Sequence, residues 1–348
     1  MPEGEASWVD ALARVARAWR DPDHPARAEA VERTLAAPNR FTEEAVAFAV
    51  NQRMHALTHE ALAGWTKPAT GPPRTVGVLH AGSEPLEGLE ALLAVVLAGH
   101  RYRGVVAAAS PGLLPAFVAE VRAAAPELPA RFVPDDVLWD EAEALIAYGD
   151  GSRQEQVRAA CRLHGLPSGR CLCVPSGFAV AVLDGQETAA ERERLAEDVL
   201  LYEGLSPRNV ALVWAPRDLS PDPYLEAFAL FRSVFPPHPG TPGALQMQKA
   251  LLEAFGVPHA YGEGPSFLVS KGAPEVQSPG HLRWSEYDRL DDVRRWVAAH
   301  RAVLTGVVAR PAVRRALPPD LPVVPPGEMH RPALDDLGAA IRSFLATL

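Results

Sequence analysis

The chain contains 348 residues, which is enough for two domains with sizeable hydrophobic cores. Its formal net charge of -9 argues against a nucleic-acid-binding surface, and 48% hydrophobic with 22% charged residues is ordinary for a globular protein. Three cysteines form no disulfide framework, Glu3 and Glu5 stand where a signal peptide would be basic, and no apolar run is long enough to span a bilayer. We therefore expect a cytoplasmic protein.

Only helical signals occur in the first part of the chain. Large apolar residues recur at helical spacing from Trp8 to Trp19, and Thr42 opens a second amphipathic stretch that ends near Met54. The segment 67–73 is rich in proline and is predicted to be a linker. These signals delimit an N-terminal helical segment over residues 1–70.

Strands and helices alternate from residue 75 onward, and the apolar residues around Cys173 form the last strand of this part. The other predicted elements are strands over 75–80, 104–109 and 144–148 and helices over 85–98, 111–125 and 154–164. This order is typical of a parallel sheet with helices on both faces, where ligands bind at the carboxyl ends of the strands. It predicts an α/β domain over residues 71–176.

A second α/β domain is predicted over residues 177–312. Its predicted elements are strands over 178–183, 209–214, 267–270 and 303–308 and helices over 188–202, 224–234, 244–255 and 290–300. A C-terminal tail over 313–348 ends in a helix predicted from 332 to 345. No cluster of His, Cys, Asp and Glu has the spacing of zinc ligands, so the sequence predicts no metal site.

Several motifs occur in the order in which one enzyme family carries them. Residues 80–86 resemble that family's His-Ala-Gly-Asn-x-Pro-Leu turn, residues 99–104 its Gly-His-Lys-Tyr-x-Gly, and residues 180–185 its Val-Ala-Val-Leu-x-Gly strand. Residues 326–334 resemble its Gly-x-x-Gln-x-Pro-x-Leu tail, and residues 201–210 its Tyr-Phe-Gly-Leu-Gly-Cys-Arg-Asn-Val loop. On these motifs the chain resembles the short bacterial acyl-CoA reductases, of the luciferase-associated type, in the aldehyde dehydrogenase superfamily.

The resemblance implies a fold, an activity and an assembly. The fold would be α/β of the aldehyde dehydrogenase type, in which a Rossmann-like nucleotide-binding domain over 71–176 is followed by a catalytic-type domain over 177–312. The activity would be reduction of an acyl thioester, such as acyl-CoA, to an aldehyde with NADPH or NADH. The family also implies a homodimer.

Functional positions of the family carry other residues in this chain. Pro207 stands where the family has its nucleophilic cysteine, Ser83 where it has the oxyanion asparagine, and Val105 where it has a cofactor-binding lysine. The basic run that precedes the 180–185 strand in relatives is Val-Pro-Ser-Gly over 174–177. Since proline has no nucleophile and one oxyanion donor contributes about 2.7–4 kcal/mol, we expect covalent catalysis to be lost or much weakened.

Three cofactor candidates remain, each with a structural alternative. Gly149, Gly151 and Ser152 lie between a strand and a helix, where backbone amides suit a pyrophosphate, although a tight turn would need the same glycines. His80 ends a strand and could contact the cofactor or the substrate, or it could satisfy backbone carbonyls. Residues 101–103 place two arginines around Tyr102, either for phosphate groups or as a solvated strand entry.

Two residues could replace the missing nucleophile. Cys173 lies near the general-base position of the superfamily, but a cysteine on an apolar strand is usually a core residue. Ser206 precedes Pro207 and would need a base within hydrogen-bond reach, which the sequence does not identify, so a turn is the simpler interpretation.

Three functional hypotheses follow from these residues. The first is a reductase-like protein that has lost covalent catalysis and still binds an acyl thioester or a nucleotide. The second is a reductase that uses Cys173 or direct hydride transfer. The third is a non-catalytic or regulatory partner protein built on the aldehyde dehydrogenase scaffold.

Overall fold

The computed structural model describes residues 3–66, 71–319, 321–334 and 338–348. Most of the predicted linker, residues 67–70, and part of the predicted terminal helix, residues 335–337, lie outside the described residues. The chain forms two compact units. Unit 1 comprises Met1–Asn39, Glu43–Ser176 and Ala333–Leu348, and unit 2 comprises Arg40–Thr42 and Gly177–Pro332.

Unit 1 begins with helices, as the sequence predicts. These are α1 (Glu3–Ala18), α2 (Pro25–Leu35), α3 (Glu43–Ala56) and α4 (His59–Trp65). The apolar face of α1 is buried, and the indole of Trp19 packs edge-on against Phe117 with ring centroids 5.4 Å apart. The Trp19 indole N–H also donates to the Glu120 carboxylate, which satisfies the polar atom that this large side chain brings into the core.

Five parallel strands form the sheet of unit 1, in the order β3-β2-β1-β4-β5. The elements are β1 (Thr75–Leu79), α5 (Leu89–Leu97), β2 (Arg101–Val105), α6 (Leu113–Ala124), β3 (Ala130–Phe132), α7 (Asp135–Glu141), β4 (Ala144–Gly149), α8 (Gly151–Leu163) and β5 (Cys171–Pro175). Every residue of β1 and β4 is buried, as expected for central strands of a parallel sheet covered on both faces.

Two predictions for unit 1 were wrong in detail. The second strand was expected at 104–109, but β2 lies at Arg101–Val105, where residues alternate between half-buried and buried positions. The small apolar residues that follow belong to the loop at the carboxyl edge of the sheet. The sequence analysis also missed β3 and α7, which are short and have little apolar periodicity.

Seven strands form the sheet of unit 2, in the order β12-β11-β6-β7-β10-β9-β8, and only β8 is antiparallel to its neighbour. The elements are β6 (Phe178–Val182), α9 (Ala189–Leu200), β7 (Val210–Pro216), α10 (Asp222–Val234), α11 (Thr241–Ala254), β8 (His259–Tyr261), β9 (Leu268–Lys271), β10 (His281–Tyr287), α12 (Leu290–Ala299), β11 (Leu304–Ala309), α13 (Pro311–Arg314) and β12 (Val323–Val324). The chain ends with α14 (Ala339–Leu345), which belongs to unit 1.

The core of unit 2 lies on both faces of its sheet. Val213 and Trp284 belong to one buried cluster, and Val180 and Trp214 belong to another. Successive residues of a strand point to opposite faces, which explains why Val213 and Trp214 belong to different clusters. Among the residues that the structure describes, no helix has the length and apolar character needed to cross a membrane.

Candidate functional site

The loop after β1 contains Ser83, the predicted oxyanion position, and is held by a buried glutamate. The Glu87 carboxylate accepts hydrogen bonds from the backbone N–H of Ala81 at 2.5 Å and of Ser83 at 2.7 Å. It also accepts the Ser83 hydroxyl at 2.8 Å. Burial raises the pKa of Glu87, and the backbone and hydroxyl donors of Ser83 and Ala81 oppose this shift. The Ser83 hydroxyl therefore already has an acceptor within its own loop.

His80 is a buried, neutral side chain. Its Nε2 lies 2.9 Å from the Tyr102 hydroxyl, and its ring stacks on that of Tyr148 with centroids 6.1 Å apart. Burial, together with the positive charge of Arg153, lowers the pKa of His80 to about 4. Gly88 lies against the ring at a φ of +87°, and a Cβ there would come within 2.0 Å of the imidazole. His80 therefore provides packing and a neutral hydrogen-bonding atom and carries no charge near neutral pH.

The amino end of α8, where the sequence suggests a pyrophosphate site, is capped by the chain itself. The Asp150 carboxylate accepts the backbone N–H of Arg153 at 2.9 Å. The Arg153 guanidinium donates to the carbonyl of His80 at 2.9 Å, and its aliphatic part covers Gly149. Gly151 has open space around the position of a Cβ. A carboxylate at this helix end repels phosphate and uses an amide that a phosphate would need.

The remaining residues considered for cofactor binding offer no unpaired positive side chain to a phosphate. The Val105 side chain ends β2 and packs in an apolar cluster with Leu79 and Ala147. Arg101 pairs with Glu143 at 3.2 Å, and Arg103 pairs with Glu141 at 2.6 Å. Asp150 places a carboxylate at the amino end of α8, which opposes binding of a pyrophosphate at that helix end.

The loop around Pro207 has an unusual backbone. Tyr202, Glu203 and Gly204 are consecutive left-handed residues, with φ values of 57°, 57° and 72°. A Cβ at Gly204 would meet the backbone nitrogen of Gly280 at 2.5 Å, so only glycine fits there. The Glu203 carboxylate is buried and pairs with Arg232 at 2.9 Å. This ion pair holds a backbone conformation that non-glycine residues rarely adopt.

Ser206 and Asn209 form a compact turn on either side of Pro207. The Ser206 hydroxyl oxygen accepts the backbone N–H of Arg208 at 3.1 Å, and the Ser206 N–H donates to Asn209 Oδ1 at 3.0 Å. Asn209 Nδ2 donates to the carbonyl of Leu201 at 2.6 Å. Ser206 is 4% exposed. The hydrogen bond from Arg208 has the geometry of a serine turn.

A cavity of about 180 Å³ adjoins this loop within unit 2. Apolar and polar side chains both line it; the polar ones are those of Ser206, Asn209, Gln277, Ser278 and His281, of which Ser206 and Asn209 also take part in the hydrogen bonds of the turn. The apolar lining includes Phe178, Val199, Leu205, Val210, Ala211, Val276 and Leu282. The sequence contains no cysteine after Cys173, so no thiol of unit 2 can reach this cavity.

Comparisons with known proteins connect this geometry to a fold. No family model matches the chain. Solved structures that resemble it include a benzaldehyde dehydrogenase of Corynebacterium glutamicum, with a TM-score of 0.64 and 14% identity over 90% of this chain and 78% of that one. A succinic semialdehyde dehydrogenase of Streptococcus pyogenes in complex with NADP+ has a TM-score of 0.63 and 11% identity over 93% of this chain and 82% of that one. A salicylaldehyde dehydrogenase of Pseudomonas putida G7 complexed with salicylaldehyde has a TM-score of 0.64 and 12% identity over 94% of this chain and 78% of that one. The chain has the aldehyde dehydrogenase fold. The predicted fold class is thereby confirmed.

One curated sequence also matches part of the chain. It is the ATP-dependent phosphoenolpyruvate carboxykinase of Nitrobacter winogradskyi, with 31% identity over 140 residues. The match covers 38% of this chain and 26% of that enzyme, so the chain spans about a quarter of the length of this relative. A match of this extent does not define an activity for a chain with the aldehyde dehydrogenase fold.

Within this aldehyde dehydrogenase fold, Cys173 belongs to a cluster of thiols in unit 1. The thiols of Cys161, Cys171 and Cys173 pack with Leu145 in one apolar cluster of unit 1. Burial and the neighbouring thiols raise the pKa of Cys171, which disfavours its thiolate. Cys173 lies on β5, an edge strand of the unit 1 sheet, whereas Pro207 lies in unit 2.

The sequence analysis missed the residues that control the unit 1 loops. Glu87 binds the backbone of residues four and six positions earlier, and Arg153 reaches His80 from 73 positions later in the chain. A buried acidic residue just before the apolar helix α5 was a signal for the first contact. The second contact depends on the adjacency of β1 and β4, which local patterns do not encode. Among the described residues, no three potential metal ligands lie together.

Proposed function

We propose that this chain is an acyl-CoA reductase-like protein of the aldehyde dehydrogenase superfamily that binds an acyl thioester and does not reduce it by covalent catalysis. The observation that carries the proposal is the Pro207 turn, which has no thiol and borders a cavity lined by both apolar and polar side chains. Ser206 and Ser83, the hydroxyls nearest to the family's nucleophile and oxyanion positions, each have a partner in their own loop. A thioester in this site would meet neither an activated nucleophile nor a free oxyanion donor.

The cofactor site supports the same conclusion. Proteins of this fold include one solved with NADP+, so the scaffold is suited to such a nucleotide. In this chain Asp150 caps α8 and Val105 replaces a cation, and both changes weaken binding of a phosphate. We therefore propose weak binding of NADPH and NADH. The homodimer that the resemblance implies remains part of the proposal.

Calorimetric titration of the purified chain tests the proposal. Hexanoyl-CoA should bind in the micromolar range, whereas NADPH and NADH should give no binding heat up to millimolar concentration. No oxidation of NADPH should be seen when both compounds are present. Micromolar binding of either nucleotide, or steady oxidation of NADPH, would show that reductase chemistry survives.

The variant Pro207→Cys tests whether Pro207 stands beside the bound thioester. After incubation with hexanoyl-CoA, mass spectrometry of the intact protein should detect a covalent acyl adduct on Cys at this position, because a thiol beside a bound thioester reacts at a high effective concentration. The matched control is Ser220→Cys, which adds a thiol at an exposed position of the same unit. Equal acylation of the two variants, or none in either, would separate Pro207 from the binding site.

A further inference from the structure

A second cavity of unit 2, which we name the edge crevice, lies at the carboxyl ends of β7, β9 and β10. Its lining includes Arg217, Lys271, Gly272 and Glu286. Its volume of about 510 Å³ is within the range of about 300–1,000 Å³ that small-molecule sites occupy. The Pro207 turn precedes the amino end of β7, so the edge crevice lies at the opposite end of this strand and is a separate cavity.

The edge crevice lies where the connections of the sheet diverge. The strands β7 and β10 are parallel neighbours, and the helices that follow them pack on opposite faces of the sheet. Tyr224 of α10 belongs to one buried cluster, whereas Val293 of α12 belongs to the other. In open parallel sheets, ligands bind at such a point, outside the carboxyl ends of the strands. The topology of unit 2 therefore favours a ligand site here.

Arg283 is a buried cation without a counter-ion. It is 9% exposed, and it forms no ion pair with any residue that the structure describes. Its Nη1 donates to the carbonyl of Lys271 at 3.2 Å, whereas its buried Nε has no hydrogen-bond partner among those residues. Burial lowers the pKa of Arg283, and the charge of the exposed Glu275 opposes this shift without forming an ion pair. A buried charge without a partner is costly, so an anion beside this guanidinium would be stabilised.

Gly272 allows the Arg283 guanidinium to lie against the wall of the edge crevice. A Cβ at Gly272 would come within 2.4 Å of Arg283 Nη1, so any other residue would displace the guanidinium. Gly272 lines the edge crevice and has no side chain to cover the cation beside it. The unpaired guanidinium is thus in contact with a residue that a ligand in the edge crevice would touch.

The other charged side chains of the lining form solvent-accessible ion pairs. Lys271 pairs with Glu286 at 2.9 Å, and Arg217 pairs with Asp288. Such pairs contribute about 0–1 kcal/mol, so an anion can replace either carboxylate at little cost. Glu286 is a carboxylate of the lining and opposes an anion, but Arg217 and Lys271 together outweigh its charge. The charge of the edge crevice is therefore complementary to an anionic ligand.

We propose that the edge crevice binds a small organic ligand through an oxyanion, a carboxylate or a phosphate group, with Arg283 as its counter-ion. Nε and Nη2 lie on the same side of a planar guanidinium, so they can donate in parallel to two oxygens of one oxyanion. Lys271 supplies a second positive charge in the lining. This site goes beyond the proposed function and does not depend on thioester binding at the Pro207 turn.

Titration with inorganic phosphate and with succinate, at constant ionic strength, tests the proposal. Each probe should raise the thermal midpoint of the wild-type chain in a saturable way, because a ligand of the folded state stabilises it. Calorimetry should give dissociation constants in the millimolar range or below, and the stronger probe identifies the preferred oxyanion. No saturable effect of either probe would overturn the proposal. Hexanoyl-CoA should bind equally with and without the probes, and competition would show that the two sites are not separate.

Single variants assign the binding to the edge crevice. Arg283→Met should weaken both probes at least tenfold, because it removes a charged donor from a buried position. Lys271→Gln should weaken them about threefold and Glu275→Gln should strengthen them about twofold, as expected for solvent-accessible charges. Lys249→Gln is the matched control, because Lys249 also pairs with a glutamate and does not line the edge crevice. Equal weakening in Lys249→Gln and Lys271→Gln would reduce the effect to general charge attraction and refute the site.

Urea denaturation without a probe separates ligand binding from a structural role of Arg283. Arg283→Met should be at least as stable as the wild-type chain, because it replaces an uncompensated buried charge with an apolar side chain. A large loss of stability would instead mean that the chain itself satisfies the guanidinium, which contradicts the proposal. Lys271→Gln and Glu275→Gln change accessible side chains, so their opposite effects on affinity remain measurable whatever the stability of Arg283→Met.

Discussion

His80 illustrates how a polar residue near a ligand-binding edge can serve the fold. Its imidazole is enclosed by Tyr102, Tyr148 and the Gly88 backbone, and Arg153 approaches its carbonyl. Enclosure removes water from the ring in both protonation states, but the charged form loses much more favourable hydration, so burial, with the positive charge of Arg153, lowers the pKa of His80 to about 4. The residue identity alone permits a cofactor contact, whereas the surroundings favour a neutral packing role.

This environment predicts a pH dependence of stability. The unfolded chain takes up a proton at His80 below about pH 6.5, while the folded protein does so only near pH 4. The unfolded state therefore binds more protons in this window, and the free energy of unfolding falls by about 3 kcal/mol as the pH falls from 6.5 to 4. His80→Gln removes this contribution, so urea denaturation at several pH values should give a shallower loss. Parallel curves for the two proteins would contradict the prediction.

The contacts of Ser83, Ser206 and Glu87 could not be predicted from the sequence alone. The resemblance predicts Ser83 at the oxyanion position of the family and Ser206 next to the nucleophile position, but the sequence does not say where their hydroxyls point. That direction depends on the turn that Glu87 closes around Ser83, and on the turn in which Ser206 accepts from Arg208. Such turns depend on backbone angles that local composition specifies only weakly.

The segment Leu201–Gly204 is the most strained element described in unit 2. A left-handed conformation at Tyr202 and Glu203 costs about 1–3 kcal/mol per residue, so other contacts must hold it. Arg232 of α10 provides them, since it pairs with Glu203 and also donates to the carbonyl of Ser266 at 3.0 Å. This contact connects α10 to the loop that borders the cavity.

Removal of Arg232 should therefore be strongly destabilising. Arg232→Met leaves the Glu203 carboxylate buried without its ion-pair partner, and we expect a loss of about 3–5 kcal/mol in the free energy of unfolding. The double variant Glu203→Gln with Arg232→Met should recover part of this loss. Denaturant unfolding measures both, with Arg217→Met as the control, because Arg217 forms an exposed pair with Asp288 and should contribute nothing measurable. Equal effects of Arg232→Met and Arg217→Met would refute the role of Arg232.

The sequence analysis predicted the strands that form continuous apolar runs and missed a strand in which polar residues interrupt such a run. The strands β1, β4, β6 and β7 are apolar throughout most of their length and were found close to their observed positions. The strand β10 was missed because Arg283, Ser285 and Glu286 interrupt its apolar pattern. These residues still form a strand between β7 and β9, since pairing on both sides outweighs local preference.

At the scale of the whole chain, the positions at which the resemblance predicts replaced residues are distributed over both units. Pro207 lies in unit 2, whereas Ser83, Val105 and the capped end of α8 lie in unit 1. Under the proposed function, the nucleophile, the oxyanion donor and the phosphate site would each be changed separately. The sequence alone identified the fold class, and the replaced positions stay a prediction. The enclosing contacts, such as that of Arg153 with His80, required the tertiary structure.

The distribution of thiols allows one test of all covalent routes together. The three cysteines lie in a single cluster of unit 1, and Cys161 is buried in its core. In the variant with Cys161, Cys171 and Cys173 all changed to Ala, hexanoyl-CoA affinity should remain within about twofold. Its thermal midpoint should fall, because the variant loses the buried Cys161 sulfur, which removes packing of about 1 kcal/mol, and the half-buried sulfurs of Cys171 and Cys173.

The single variant Cys173→Ala gives the decisive comparison. If the wild-type chain oxidises NADPH with a thioester and both variants do not, Cys173 acts as a relocated nucleophile and the proposed loss of covalent catalysis is wrong. If all three proteins bind the thioester equally and none oxidises NADPH, thiol chemistry takes no part in the function. We expect the second result, because the Cys173 side chain packs with Cys171 and Leu145 in an apolar cluster, and a cysteine in such surroundings is usually a core residue.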